Sequence, residues 1–266
     1  MRTNPPTTIY VSDAGRDRRF RTEAIVLTRQ ELGEADRILT VYTPGYGKLR
    51  IIAKGARRPQ SKLGPYLDYF GCVALQLSRG RDLDVVTSAE MVDPHEQLRA
   101  DLDAFGHASY FAELVRHLTE DRQENRRVYE LLKFSLRILC DEVDPWVVTR
   151  HFEIALLSAI GYQPEVMHCV NCHRPIEPVV NALSPSMGGL LCPDCRGVDP
   201  AAIPLSINAQ KFLRQTMREG LAGVVRLQVA EDVRWEVERA IAGLLRFVAE
   251  RDFTSLRVLS ALNRPS

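Results

Sequence analysis

Nowhere in the 266 residues is there an apolar run of about 18 without a charge, so no membrane-spanning helix is expected. Aromatic residues are scarce, at 7%, and net charge is nearly absent: 35 Lys and Arg face 34 Asp and Glu, which leaves +1. That balance argues against a charge-driven disordered chain. Taken as an average, it also argues against nucleic acid, whose partners are usually basic. The phosphate loop GxxxxGK[ST] is missing, and so are HExxH and GxSxG, so no nucleotide motor, zinc protease or serine hydrolase is indicated and no enzyme is expected. Acidic groups such as Glu31-Glu34-Asp36 and Asp82-Asp84 have no further ligand pattern around them and read as turn or strand-edge acids. No repeat period is visible. The first 20 residues hold two prolines and four arginines but no apolar signal core, which predicts a cytoplasmic protein behind a flexible extension over 1–21.

What is present is the composition of a globular protein, 45% hydrophobic and 26% charged, long enough for about two domains. From Thr22 to Val92 the pattern is of strands. Ala24 to Thr28 is apolar, Asp36 to Thr43 is β-branched and aromatic up to Pro44-Gly45, and Leu49, Ile51 and Ala53 alternate with Lys48, Arg50 and Ile52. Val73, Leu75 and Leu77 alternate again, and Gly80-Arg81-Asp82 turns into a fifth strand. Five short strands in about 70 residues predict a small closed barrel. After Pro94 the period becomes helical, with helices expected through Phe105–Leu118, Val128–Leu139, from Asp144-Pro145 to Gly161, Asn208–Glu219 and Asp232–Glu250. The predicted class is therefore α+β: a barrel over 22–92, then a helical domain over 93–266.

Inside the helical half lie two C-x2-C hairpins, Cys169 with Cys172 and Cys192 with Cys195. Two such turns can bring four thiolates to one centre, which predicts a structural zinc in a ribbon-like insertion over about 166–200. Four thiolates leave no open coordination position, so the metal is not expected to be catalytic. An iron–sulfur cluster and a redox dithiol are the alternatives. His168 and His173 read as loop residues, and Cys72 and Cys140 as small core hydrophobes.

The charge is unevenly spread. Arg37 to Leu67 contains no acid but seven bases: Arg37, Lys48, Arg50, Lys54, Arg57, Arg58 and Lys62. A basic strand feeding a basic loop on a small barrel suits a single-stranded nucleic acid, with cations on phosphates and aromatics on bases. Arg79 and Arg81 could extend the track, and Tyr42, Tyr46, Tyr66, Tyr69 and Phe70 are the nearby stacking candidates. A solvated loop without a ligand is the bland alternative. Arg16, Arg18, Arg19 and Arg21 could form a further phosphate-contacting arm. Residues 1–90 hold 15 bases against 10 acids and residues 91–266 hold 20 against 24, so the near-zero sum joins a basic barrel to a mildly acidic body.

The run GEADRILTVYTPGYGKLRIIAKGARRPQSKLG from Gly33 to Gly64 resembles the bacterial RecO family of recombinational repair proteins. So do LQLSRGRDL at Leu75 to Leu83, Ala89-Glu90, IGYQPEVMHCVNC at Ile160 to Cys172 and SPSMGGLLCPDC at Ser184 to Cys195. The resemblance implies an OB barrel, a helical domain and an inserted zinc element. It also implies binding of single- and double-stranded DNA, strand annealing, and RecR as partner. Further implied are contact with the acidic tail of single-strand-binding protein and help to the RecA recombinase in replacing that protein. A scaffold whose helical domain docks partners, with DNA secondary, is the competing expectation. The extension before Thr22 is longer than the family pattern.

Overall fold

In the computed structural model the described residues are 19–250, except 142, together with Phe253. Residues 1–18 of the predicted extension, with Arg16 and Arg18 of the arm, lie outside them, while its last three residues, 19–21, are strand. Five strands, β1 (Arg19–Leu32), β2 (Asp36–Thr43), β3 (Gly47–Ala53), β4 (Cys72–Ser78) and β5 (Asp84–Asp93), form a closed barrel in the order β1-β2-β3-β5-β4. All neighbours are antiparallel except β3 and β5, whose parallel pairing of Ile51 with Asp84 and Ile52 with Val85 closes the ring. The first strand starts three residues before the expected barrel boundary and runs beyond Thr28 to Leu32. It can do so because a bulge between Val26 and Thr28 bends it from β4 toward β2.

The barrel interior is filled by inward-alternating residues such as Val26, Leu39, Val41, Leu49, Ile51, Val73, Leu75 and Leu77. The unbroken run Ala24-Ile25-Val26-Leu27 has a different cause. Ala24 and Val26 enter the barrel, while Ile25 and Leu27 join the core of the helical body, so the strand is buried on both faces.

That body contains α1 (Gln97–Ala100), α2 (Leu102–Leu118), α3 (Arg126–Ile138), α4 (Pro145–Ala159), α5 (Ile207–Glu219), α6 (Leu221–Val224) and α7 (Glu231–Ala249). The five long helices match the expected ones; the two four-residue helices are too short to leave a periodic signal. Side-chain caps start four of them: Asp101 accepts from Ala104 N, Asn125 from Val128 N, Asp144 from Trp146 N and Ser206 from Ala209 N. Within the body, Arg150 and Glu153 on α4 form an ion pair at 3.0 Å, both almost wholly buried, and Tyr110 of α2 donates to the same carboxylate at 2.7 Å. Burial pushes the Glu153 carboxyl up to about 7, against the opposing pull of Arg150. A small sheet in the order β7-β6-β8, from β6 (Asn181–Ser184), β7 (Gly189–Leu191) and β8 (Ile203–Leu205), carries the cysteine hairpins between α4 and α5. Among the described residues no helix is long and apolar enough to cross a membrane.

Barrel and body meet over a polar junction. Gly47 (φ +61°) lies so close to the body that a Cβ there would sit 1.9 Å from the Gln123 carbonyl oxygen, which only glycine avoids. Elsewhere at this junction, Glu23 of β1 accepts from Lys133 at 2.5 Å and from the Tyr129 hydroxyl. Burial alone would raise the Glu23 carboxyl, but the bonds from Lys133 and Tyr129 outweigh it and hold the group below its ordinary value. A carboxyl depressed in the folded state contributes stability above its unfolded pKa and loses it as pH falls through the folded value. Acidification below about pH 4.5 should therefore weaken the junction, and Glu23→Gln should flatten that acid limb in pH-dependent melting.

Candidate nucleic-acid interface and metal centre

The outer face of the β2–β3 ladder is where an OB barrel presents ligands. Period-two alternation puts Ile38, Thr40 and Tyr42 of β2 there, opposite Ile52, Arg50 and Lys48 of β3. The helical body covers one end of this face. Lys48 is only 12% exposed; its Nζ donates at 2.6 Å to the carbonyls of both Arg116 and Thr119 at the end of α2 and lies 3.1 Å from Asp121. A cation there satisfies orphan carbonyls and complements the helix dipole. Lys48 thus fastens barrel to body with its charge already engaged.

Farther along the face the cations are open. Arg50, Lys54, Arg58 and Lys62 are exposed, and among the described residues none has an ion-pair partner. Arg57 is placed differently: it donates to the Gly33 carbonyl at 3.0 Å and pairs with Glu31 at 3.0 Å, while its own amide donates to Ala35. These bonds pin the basic loop against the β1–β2 turn. Arg37 is half-buried at the same end of the barrel, with one long bond of 3.5 Å to the Leu67 carbonyl. At the β4–β5 turn, Arg81 is exposed and Arg79 lies over the Phe20 ring at 5.3 Å, itself packed on Tyr46 at 4.7 Å. Buried Asp84 holds this turn to the body, accepting from Gly80 N at 3.3 Å and from Arg122 at 3.0 Å.

The aromatic candidates divide. Tyr42 and Phe70 are core residues, 0% and 1% exposed; Tyr46 and Tyr69 are half-buried and Tyr66 is open to solvent. Of the possible arm, Arg19 and Arg21 are strand residues, and Arg21 pairs with Glu90 at 3.2 Å.

The four cysteines converge. The Sγ atoms of Cys169, Cys172, Cys192 and Cys195 all lie within 4.8 Å of one another and could hold a metal ion, with Cys172 and Cys192 at 3.8 Å. A tetrahedral ion with bonds of about 2.3 Å to sulfur spaces its ligands about 3.8 Å apart, so the pocket has the size such an ion needs. The first hairpin is seated on β7, where Val170 N donates to Leu190 and Leu190 N to Glu165. Donors surround the sulfurs: Asn171 Nδ2 reaches Cys195 at 3.3 Å, Cys192 N reaches Cys169 at 3.4 Å and Arg174 Nε reaches Cys172 at 3.4 Å. The Arg174 bond, with Arg174's own amide behind it, holds the Cys172 thiol down at about 6, so this ligand ionises readily. Arg174 is itself oriented by Asp194 at 2.6 Å. Its position two residues after Cys172 was the only sequence sign of this role. His168 and His173 are exposed and stand outside the cluster; Cys72 is a buried free thiol, Cys140 a half-buried one.

Fold and site together define a class: a closed five-stranded OB-type barrel with a basic outer face, joined to a helical body that carries a four-cysteine cluster able to hold a metal ion. Two family models match the chain, "Recombination protein O N terminal" over 18–95 and "Recombination protein O C terminal" over 99–257. Among curated proteins, the chain is 40% identical over 244 residues to the DNA repair protein RecO of Roseiflexus sp. (strain RS-1), covering 92% of this chain and 86% of that one. It is 35% identical over 245 residues to the DNA repair protein RecO of Dehalococcoides mccartyi (strain ATCC BAA-2266 / KCTC 15142 / 195), covering 92% and 96%. The chain belongs to the RecO family of DNA repair proteins.

Proposed function

We propose that this chain is a recombination mediator that binds single- and double-stranded DNA and anneals complementary strands without covalent catalysis. The observation that carries the reading is the set of exposed cations Arg50, Lys54, Arg58 and Lys62, on the β3 face and the loop after it, without an ion-pair partner among the described residues. No acid lies between residues 37 and 67 to neutralise them. Arg79 and Arg81 would extend the track along the β4–β5 turn, and Tyr66 and the Phe20–Tyr46 pair offer ring faces beside it. Arg57 and Lys48 are proposed to act as positioning residues, one fixing the basic loop and the other the barrel on the body. Arg37 belongs to the end of the barrel. Annealing follows from charge: two strands whose phosphates are neutralised repel less, and base pairing supplies the rest.

Cys169, Cys172, Cys192 and Cys195 would hold one zinc ion as a structural centre, all four positions being taken by sulfur. RecR, the acidic tail of single-strand-binding protein and, indirectly, RecA are the protein partners family membership suggests, for loading recombinase onto covered DNA. A scaffold role for the helical body is favoured by the large apolar residues it exposes, including Tyr162, Met167, Val180, Val198 and Trp235.

Replacing Arg50, Lys54, Arg58 and Lys62 together by Ala should weaken single-strand binding at low salt by at least about 100-fold for all sequences alike. Fluorescence anisotropy with two unrelated oligonucleotides measures it. An unchanged affinity moves the DNA site elsewhere, and cleavage of the oligonucleotide would contradict a mediator that works without covalent catalysis.

A further inference from the structure

One end of the barrel gathers arginines in excess of the acids that could pair with them. Arg29 and Arg37 sit on the paired ends of β1 and β2, where Glu31 is the register partner of Arg37. Arg29 reaches Asp68 at 2.8 Å and lies over the Tyr69 ring at 4.6 Å; Arg37 points to the carbonyl of Leu67, the residue before Asp68. Arg99 comes to the same carboxylate from the body, 3.8 Å away, and Arg57 takes Glu31. Four guanidinium groups thus share two carboxylates.

Their bonds are not equally complete. Arg57 holds a carboxylate and the Gly33 carbonyl, and Arg99 a carboxylate and the carbonyls of Tyr69 and Pro94. Among the described residues, Arg29 uses one of its nitrogens on Asp68, and Arg37 has a single 3.5 Å bond for five N–H donors, with its Nε buried and unpartnered. A half-buried guanidinium beside like charges is costly unless an anion joins it. Burial, and after it the charge of Arg29, holds the Arg37 group below its ordinary value.

We propose that Arg29 and Arg37, backed by Arg57 and Arg99, form a discrete binding site for one phosphate group at the end of the barrel. Forked, planar donors from two sides match a phosphate's oxygens better than single ammonium charges do. The inference deepens the DNA-binding reading and rests on it only for the source of the phosphate, an internal phosphodiester or a terminal phosphomonoester.

The test uses the full chain and inorganic phosphate as probe. Its melting temperature is followed against phosphate concentration, with sodium chloride at equal ionic strength as reference. Phosphate should raise it saturably above the reference. Arg37→Lys and Arg29→Lys, which keep the charge but lose the fork, should each weaken the apparent phosphate affinity about tenfold. Lys211→Gln, an exposed α5 cation far along the chain, should not. If R37K does not fold, R29K alone decides. Oligonucleotides with a 5′-phosphate or a 5′-hydroxyl then separate the sources: a preference for the phosphate that R29K removes indicates a terminal group, and equal weakening of both an internal one. No rise beyond chloride, or a rise that both lysine variants retain, overturns the site. A phosphate effect that persists in a protein unable to bind DNA would defeat the DNA reading and leave the site standing.

Discussion

Replacing Cys192 with Ser should abolish metal binding and loosen the two cysteine hairpins. Apart from the sulfurs, the apolar cluster they share is Leu191 with a few partly buried neighbours, whereas Val166, Leu183, Leu190 and Leu205 of the same segment are anchored in the core of the body. In a structural site of this kind the metal's binding free energy, apparent values being about 10–16 kcal/mol, is itself folding free energy. Losing one of four sulfurs should therefore cost several kcal/mol locally. Metal analysis should give one zinc per chain for the parent protein and essentially none for the variant. A strong chelator should lower the melting temperature of the parent alone. Iron in the parent, or equal metal content in both, would refute the zinc assignment.

Arg150→Met should destabilise the helical body by about 3–5 kcal/mol, because it takes from the buried Glu153 the cation that opposes its burial, leaving the carboxyl to be charged and unpaired or to take up a proton. The pair is sealed between α2 and α4, with side chains only 3% and 1% exposed, so water cannot take over the lost partner. Removing both charges, as Arg150→Met with Glu153→Leu, should recover most of the loss, since the desolvation cost disappears with them. Urea denaturation of the two variants and the parent measures this cycle. A single variant within about 1 kcal/mol of the parent would mean that the pair is not held as drawn.

The barrel and the five long helices were legible from periodicity because each depends on local rules: alternation on a pleat, a 3.6-residue stripe, a capping side chain before a helix. The cysteine cluster was legible because spacing alone brings two hairpins to one centre. What sequence could not show is what covers what. Alternation put Lys48 and Arg50 on the same outward face, and that holds. Only the tertiary fold lays the end of α2 over one and leaves the other in water. Arg57 lies in a run of bases that looks uniform, yet Glu31, 26 residues away, takes it. Arg29 and Arg99 carried no signal, since their convergence on Asp68 joins three separate parts of the chain. The near-zero net charge hides this division for a related reason: it averages a basic barrel with a mildly acidic body.

The most direct test of the barrel as a DNA surface is a salt titration of single-strand affinity by the full chain. With about six cations on phosphates, log K should fall with log salt at a slope of about −4. In the variant lacking Arg50, Lys54, Arg58 and Lys62 the slope should flatten to about −1 to −2. A parent slope near zero, or a variant slope equal to the parent's, would contradict DNA binding on this face.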